Sequence, residues 1–211
     1  MFHQRKKTMR RLLLVLAVAA LAGAAAPTPA PAQMTESRLP IYYAIHGGLF
    51  YPARENFRAL YRSSSDLAWG AGVAFPITDD YFYLVTDIAW FSAESNLGAA
   101  DSVGRLEERF IHLGLLQKVF FSQRDAFRVQ AGVNSIRVRE SVRGPASAER
   151  SIELPRKYGY FAGIGLEHIP GGGGVAFYGD LLYEYRHSLE PELPGDVGGL
   201  RMELGINVNF N

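Results

Sequence analysis

The sequence predicts an all-β chain: an eight-stranded antiparallel up-and-down transmembrane barrel preceded by an N-terminal signal peptide. Three observations predict it. In the last segment, residues 200–211, every second residue is apolar: Leu200, Met202, Leu204, Ile206, Val208 and Phe210, with Arg201, Glu203, Gly205, Asn207 and Asn209 between them. A period of two places these groups on opposite faces of one strand. Seven further segments alternate in the same way, and the connections between them take turns between long and short, which suits a barrel with tight turns at one rim and loops at the other. The first residues have the charge and hydropathy of a secretory leader.

The leader carries Arg5, Lys6, Lys7, Arg10 and Arg11 and no acid before an apolar run over residues 12–26. That run is roughly fifteen residues, short for a spanning helix. Ala30-Pro31-Ala32 fits a small-x-small cleavage site, so residues 1–32 are assigned to a signal peptide, 33–40 to a short linker and 41–211 to the barrel; a single helical anchor is the alternative. There is no cysteine, which excludes a disulfide framework and a lipoprotein anchor. The net charge is +1, and losing the five basic leader residues leaves −4. That balance makes no electrostatic case for nucleic acid.

The strands are expected in order at 41–51, 66–77, 81–91, 105–121, 127–138, 157–169, 175–187 and 200–210. The first is ended by Pro52. In the second, Leu67, Trp69, Val73 and Phe75 alternate with Ala68, Gly70, Gly72 and Ala74 up to the Thr78-Asp79-Asp80 turn. In the third, Asp87 assigns its face to the interior, opposite Phe82, Leu84, Ile88 and Trp90. The fourth sets Ile111, Leu113, Leu115 and Val119 against His112, Gly114 and Lys118, and ends at Ser122-Gln123-Arg124-Asp125. The fifth sets Phe127, Val129 and Val133 against Arg128 and Gln130. A charged loop is expected over 139–155. The sixth sets Tyr158, Tyr160, Ile164 and Leu166 against Gly159, Phe161 and Glu167, and Pro170 with Gly171–Gly174 interrupts any strand. The seventh sets Phe177, Leu181, Tyr183 and Tyr185 against Tyr178, Asp180, Glu184 and Arg186.

These alternating strands, the turn at residues 78–80 and the ending resemble the small outer-membrane β-barrel family, the eight-stranded group that includes the OmpA transmembrane domain and the OmpX-like proteins. Glu203, Gly205, Val208 and Phe210 are similar to that family's C-terminal recognition pattern, with Asn211 following the aromatic on which the pattern normally ends. The resemblance implies residence in a Gram-negative outer membrane after signal-peptide cleavage, contact with its lipids and lipopolysaccharide, and recognition by the outer-membrane assembly machinery.

The inferred inward faces collect Asp87, His112, Lys118, Arg128, Glu167, Asp180, Glu184, Arg186, Arg201 and Glu203. Eight strands enclose only enough space for side chains. Charges there must pair or stay wet, so a polar network that plugs the lumen is expected. Arg186 and Arg201 are expected to pair with Glu184, Glu203 or Glu167. Aromatic girdles are expected from Tyr42, Tyr43, Tyr51, Trp69, Phe75, Phe82, Trp90, Phe121, Phe127, Tyr158, Phe177, Tyr185 and Phe210.

The expected role is structural or surface-interactive and non-enzymatic, with no cofactor and no metal. Some relatives of the resembled family hydrolyse lipid A with a His followed two residues later by Ser. Here His187 and Ser188 are adjacent and point to opposite faces, the wrong arrangement for an activated hydroxyl. No histidine spacing suggests a metal. In the first loop Arg54, Arg58 and Arg62 recur every four residues around Phe57 and Leu60, a short amphipathic turn suited to anionic lipopolysaccharide. A passage for small hydrophobic compounds, as in OmpW-like barrels, and a lipid A-modifying hydrolase are the alternatives. Alternation alone also admits a soluble, calycin-like barrel with the two faces exchanged, and it does not set an oligomeric state.

Overall fold

The structure, a computed structural model, describes residues 41–53, 57, 65–78, 81–96, 103–143, 150–171, 174–188 and 195–209. The expected leader, cleavage site and linker lie outside them, as do Arg54, Arg58, Arg62 and Phe210. Eight strands run in order: β1 (Tyr42–Pro52), β2 (Asp66–Thr78), β3 (Phe82–Asn96), β4 (Val103–Phe120), β5 (Asp125–Arg143), β6 (Arg150–His168), β7 (Val175–Ser188) and β8 (Gly195–Asn209). Each pairs antiparallel with its neighbours in sequence. β1 also pairs with β8, from Tyr42↔Asn209 to Pro52↔Gly199, and this closes the barrel. Closure leaves no free edge where the ladders are continuous, the condition for a sheet in a medium without water.

The strands reach further than their apolar alternation does. β5 continues to Arg143 and β6 begins at Arg150, so most of the charged loop expected over 139–155 is hairpin, paired as far as Val142↔Arg150. The register shifts between Ile136 and Val138. Beyond Val138 neither face of this hairpin has a core to cover, so the side chains lose their period while the backbone ladder goes on. The β3–β4, β5–β6 and β7–β8 connections shrink to six residues each. The strict long–short alternation expected from the sequence is correspondingly weaker.

The two faces separate cleanly. Ile45, Leu67, Trp69, Leu113, Val133 and Leu204 are exposed on the outer wall, Leu204 by 75%. Lys118, Arg186 and Arg201 are among the largest fully buried side chains. This is the reverse of a soluble barrel that carries an apolar ligand inside. The outer wall also bears most of the expected girdle, including a stacked Trp69–Trp90 pair with centroids 4.6 Å apart and Tyr185, which Tyr160 joins at 5.0 Å. Tyr42 corrects that expectation. Its ring lies inside, edge-on to Tyr83 at 5.7 Å and 4.4 Å from the Lys118 ammonium. Tyr42 and Tyr43 are consecutive strand residues and cannot share a face; Tyr43 takes the outer one.

The lumen is not polar throughout. Towards the rim with the longer connections it is filled by an apolar layer that includes Phe50, Phe91, Leu106, Phe110, Ile136 and Val138, joined by Phe57 from the β1–β2 connection. The Phe50 ring meets Phe91 and Phe110 edge-on at 4.8 and 5.1 Å. Alanines 68, 89 and 93 leave room for these rings.

Candidate functional site

Beneath the apolar layer the lumen holds two layers of charge. Each draws its side chains from five strands, some adjacent in the sheet and some facing one another across the lumen. In the layer nearer the short turns, the Lys118 ammonium on β4 donates to Glu167 Oε1 on β6 at 2.5 Å. Arg128 on β5 donates from Nη1 to Glu167 Oε2 at 2.5 Å and from Nε to Asp180 Oδ1 on β7 at 3.0 Å. Gln130 donates to Asp180 Oδ2 at 2.8 Å, and Asn207 on β8 to Glu167 Oε2 at 3.0 Å. The Arg128 guanidinium also lies 4.2 Å from the Tyr178 ring centroid. Two cations thus face two carboxylates, with amides occupying further lone pairs. Buried charge is tolerated under these conditions.

The central layer is organised by Asp87 on β3. Its Oδ2 meets His46 Nε2 on β1 at 2.6 Å and its Oδ1 meets His112 Nδ1 on β4 at 2.9 Å. The opposite nitrogen of each ring faces a second carboxylate: His46 Nδ1 to Glu203 Oε2 at 3.0 Å, and His112 Nε2 to Glu184 Oε2 at 2.9 Å. His112 is hydrogen-bonded to a carboxylate at both nitrogens, the arrangement of a doubly donating imidazolium, while His46 is hydrogen-bonded to Asp87 and within ion-pair distance of Glu203. Arg201 on β8 completes the set, 2.8 Å from Glu203 Oε2 and 3.5 Å from both Glu184 Oε1 and Asp87 Oδ1. Three carboxylates then meet one guanidinium and two imidazoliums, and the layer is neutral.

The ten inward charges expected from the sequence therefore all project into the lumen, where nine are buried and Asp87 is part-buried. The partnerships differ in part. Arg201 contacts Glu184 and Glu203 as expected and Asp87 besides. Arg186 Nη1 donates to the Ile136 carbonyl at 3.1 Å, and Glu167 is taken by Lys118 and Arg128. His46 and Glu108 are buried polar residues that sequence reasoning missed, and Gln130, Asn134 and Asn207, on faces that the alternation makes polar, are buried with them. The signal for His46 was its position in β1, an even number of residues from Phe50, but Gly47-Gly48 interrupts the alternation there.

A cavity of about 50 Å³ remains in the lumen, bordered by Tyr42, Asp87, His112, Lys118, Arg128 and Tyr178. It has room for a few waters among polar groups. The charge layers bridge β4 to β6 and β7, and β8 to β3, across the lumen.

Two residues of the C-terminal pattern have structural tasks inside the barrel. Glu203 belongs to the central layer. Gly205 lies under Tyr178, where a Cβ would come within 2.2 Å of the ring. Val208 pairs with Tyr43 and Val175 at the short-turn end. His187 and Ser188 are consecutive residues at the end of β7. Among the described residues no group of three or more potential ligands is arranged to hold a metal.

A closed eight-stranded barrel, apolar outside and filled with paired charge inside, has the fold of the small outer-membrane β-barrels. Among solved structures it is similar to Neisserial surface protein A (NspA), with a TM-score of 0.57 and 13% identity over 81% of this chain and 97% of that one. It is similar also to Ail, the attachment invasion locus protein of Yersinia pestis, in complex with the heparin analogue sucrose octasulfate, with a TM-score of 0.52 and 12% identity over 81% and 98%. At these identities the likeness is one of fold. No protein-family model and no curated protein matches the sequence.

Proposed function

We propose that this protein is an integral barrel of a Gram-negative outer membrane, with a structural or surface-interaction role rather than a catalytic one. One observation carries the reading: the wall that water would solvate in a soluble barrel is apolar, while fully buried Lys118, Arg186 and Arg201 lie inside. A bilayer inverts the usual preference of side chains in this way. The wall and the filled lumen together argue for a rigid platform that holds loops at the outer surface. The C-terminal sequence over residues 203–210 is proposed as the segment that the assembly machinery reads.

The test is fractionation followed by electrophoresis of boiled and unboiled samples. Recovery in the outer membrane with a band that shifts on boiling is expected. Recovery in the soluble periplasm without a shift would overturn the reading. A channel for small molecules would need the cross-lumen contacts to part. In planar bilayers the wild-type barrel is expected to show no steady conductance, and stable open steps would favour the channel.

A further inference from the structure

We infer that the outer wall of β4 and β5 carries a binding site for the phosphate-bearing headgroup of an acylated lipid, formed by Arg109 and Arg139 beside Arg137. The inference rests on the proposed membrane location and adds a ligand class and a site to it.

The geometry begins with an unfavourable pair. Arg109 on β4 lies directly across the ladder from Arg137 on β5, and like charges in that relation repel. All three arginines point outward, because their neighbours Phe110, Ile136 and Val138 are buried in the lumen. Glutamates neutralise only part of the cluster. Glu153 on β6 is the ladder neighbour of Arg139, yet it is taken by Arg137, whose Nε donates to it at 2.5 Å. Glu107, which stands opposite Arg139 in register, is instead 2.9 Å from Arg105. Arg109 and Arg139 have no ion-pair partner among the described residues. They are diagonal neighbours on one face, a spacing of about 7–8 Å between their attachment points. Two guanidinium forks at that spacing close on one phosphate group or span two.

The height of the cluster on the wall selects the ligand. Below Arg109 and Arg137 the same face reads Ile111, Leu113 and Leu115 on β4 and Val133 on β5, ending in the paired rings of Phe121 and Phe127. The twelve steps along the chain from Phe121 to Arg109, at roughly 3.4 Å each and tilted about 40°, rise about 30 Å. The arginines therefore stand at the upper boundary of the apolar belt, level with headgroups. To one side Trp90 is the ladder partner of Arg109, and to the other Tyr158 faces Ser135 on β5. Arginines on β4 and β5 thus stand between Trp90 on β3 and Tyr158 on β6. A molecule with both acyl chains and phosphate would meet both surfaces at once, whereas a free phosphate would meet only the arginines.

The test measures binding of the purified, detergent-solubilised full chain to three probes: diphosphorylated lipid A, dephosphorylated lipid A, and inorganic pyrophosphate. Saturable binding of the diphosphorylated lipid is expected. It should weaken about tenfold or more in Arg109→Gln/Arg139→Gln, while Arg105→Gln, which removes an arginine already paired with glutamate, leaves it nearly unchanged. Retention of the shift on boiling shows that each variant is folded. Equal binding by the double variant, or by dephosphorylated lipid, overturns the inference. So does pyrophosphate binding as tightly as the lipid, which would make this a free-phosphate site. Absence of the protein from the membrane fraction would instead strike at the proposed function itself.

Discussion

Replacing Arg201 by Met should be among the most damaging single changes to this barrel. The guanidinium is 1% exposed and contacts three carboxylates. With an effective dielectric constant near 20, a unit pair at the Glu203 distance is worth about 6 kcal/mol and each pair at the Glu184 and Asp87 distances about 5 kcal/mol. Desolvation of the guanidinium and repulsion from the two imidazoliums offset most of that sum. Removing one partner from a buried charge pair typically costs about 3–5 kcal/mol, because the remaining charge stays buried and unbalanced. The same loss is expected here, since three carboxylates would then face only His46 and His112. Urea unfolding in lipid vesicles, followed by the fluorescence of Trp69 and Trp90, measures it. Adding Glu203→Gln to Arg201→Met restores neutrality and should recover about 1–2 kcal/mol, a coupling that independent sites would lack. If Arg201→Met costs less than about 1 kcal/mol, the central carboxylates are hydrated and the neutral, filled lumen described above is wrong.

Other changes probe other parts of the structure. Leu204→Arg, midway along the outer face of β8, should cost about 2–4 kcal/mol in a bilayer, whereas a soluble barrel would absorb it within about 0.5 kcal/mol; vesicle folding titrations separate the two. Phe110→Ala, in the apolar layer and fully buried, should lower stability by about 3–5 kcal/mol in the same urea assay. At Gly132 a Cβ would come within 2.3 Å of the Leu113 carbonyl and 2.9 Å of the Phe161 ring, so Gly132→Ala should cost about 1–3 kcal/mol through overpacking. Asp87→Asn removes the acceptor charge shared by His46 and His112. It should uncouple the two rings, so that a change at one no longer shifts the imidazole NMR resonances of the other.

The ease with which the strands can be read, and the difficulty of reading their partnerships, have one physical origin. Period two is local, so Leu200 to Phe210 or Phe127 to Val133 assign their faces without reference to any other strand. Once Asp87, Arg128 and Arg201 are on inward faces, their burial follows from closure alone. Which charges meet is a different matter. His112 reaches Glu184 across 72 positions and Arg201 reaches Asp87 across 114, and those meetings depend on register and tilt around the whole barrel. Glu167 was a plausible partner for Arg186 by sign and face. In space Lys118 and Arg128 reach it first.

Tyr42 and His46 were misjudged or overlooked where the local signal is weakest, in β1, whose Gly47-Gly48 pair carries no apolar contrast. The hairpin beyond Val138 was read as loop because the backbone ladder outlasts the apolar period. The apolar layer of Phe50, Phe91 and Phe110 was invisible for a related reason: alternation tells inside from outside but not height within the lumen. By itself, then, the sequence determined eight strands, their order and which face of most of them is apolar, because each of these depends on neighbours a few residues away. Only the closed barrel decided that the interior is layered, aromatic above and charged below, and that the two charged layers are each neutral, because those properties arise where opposite walls meet.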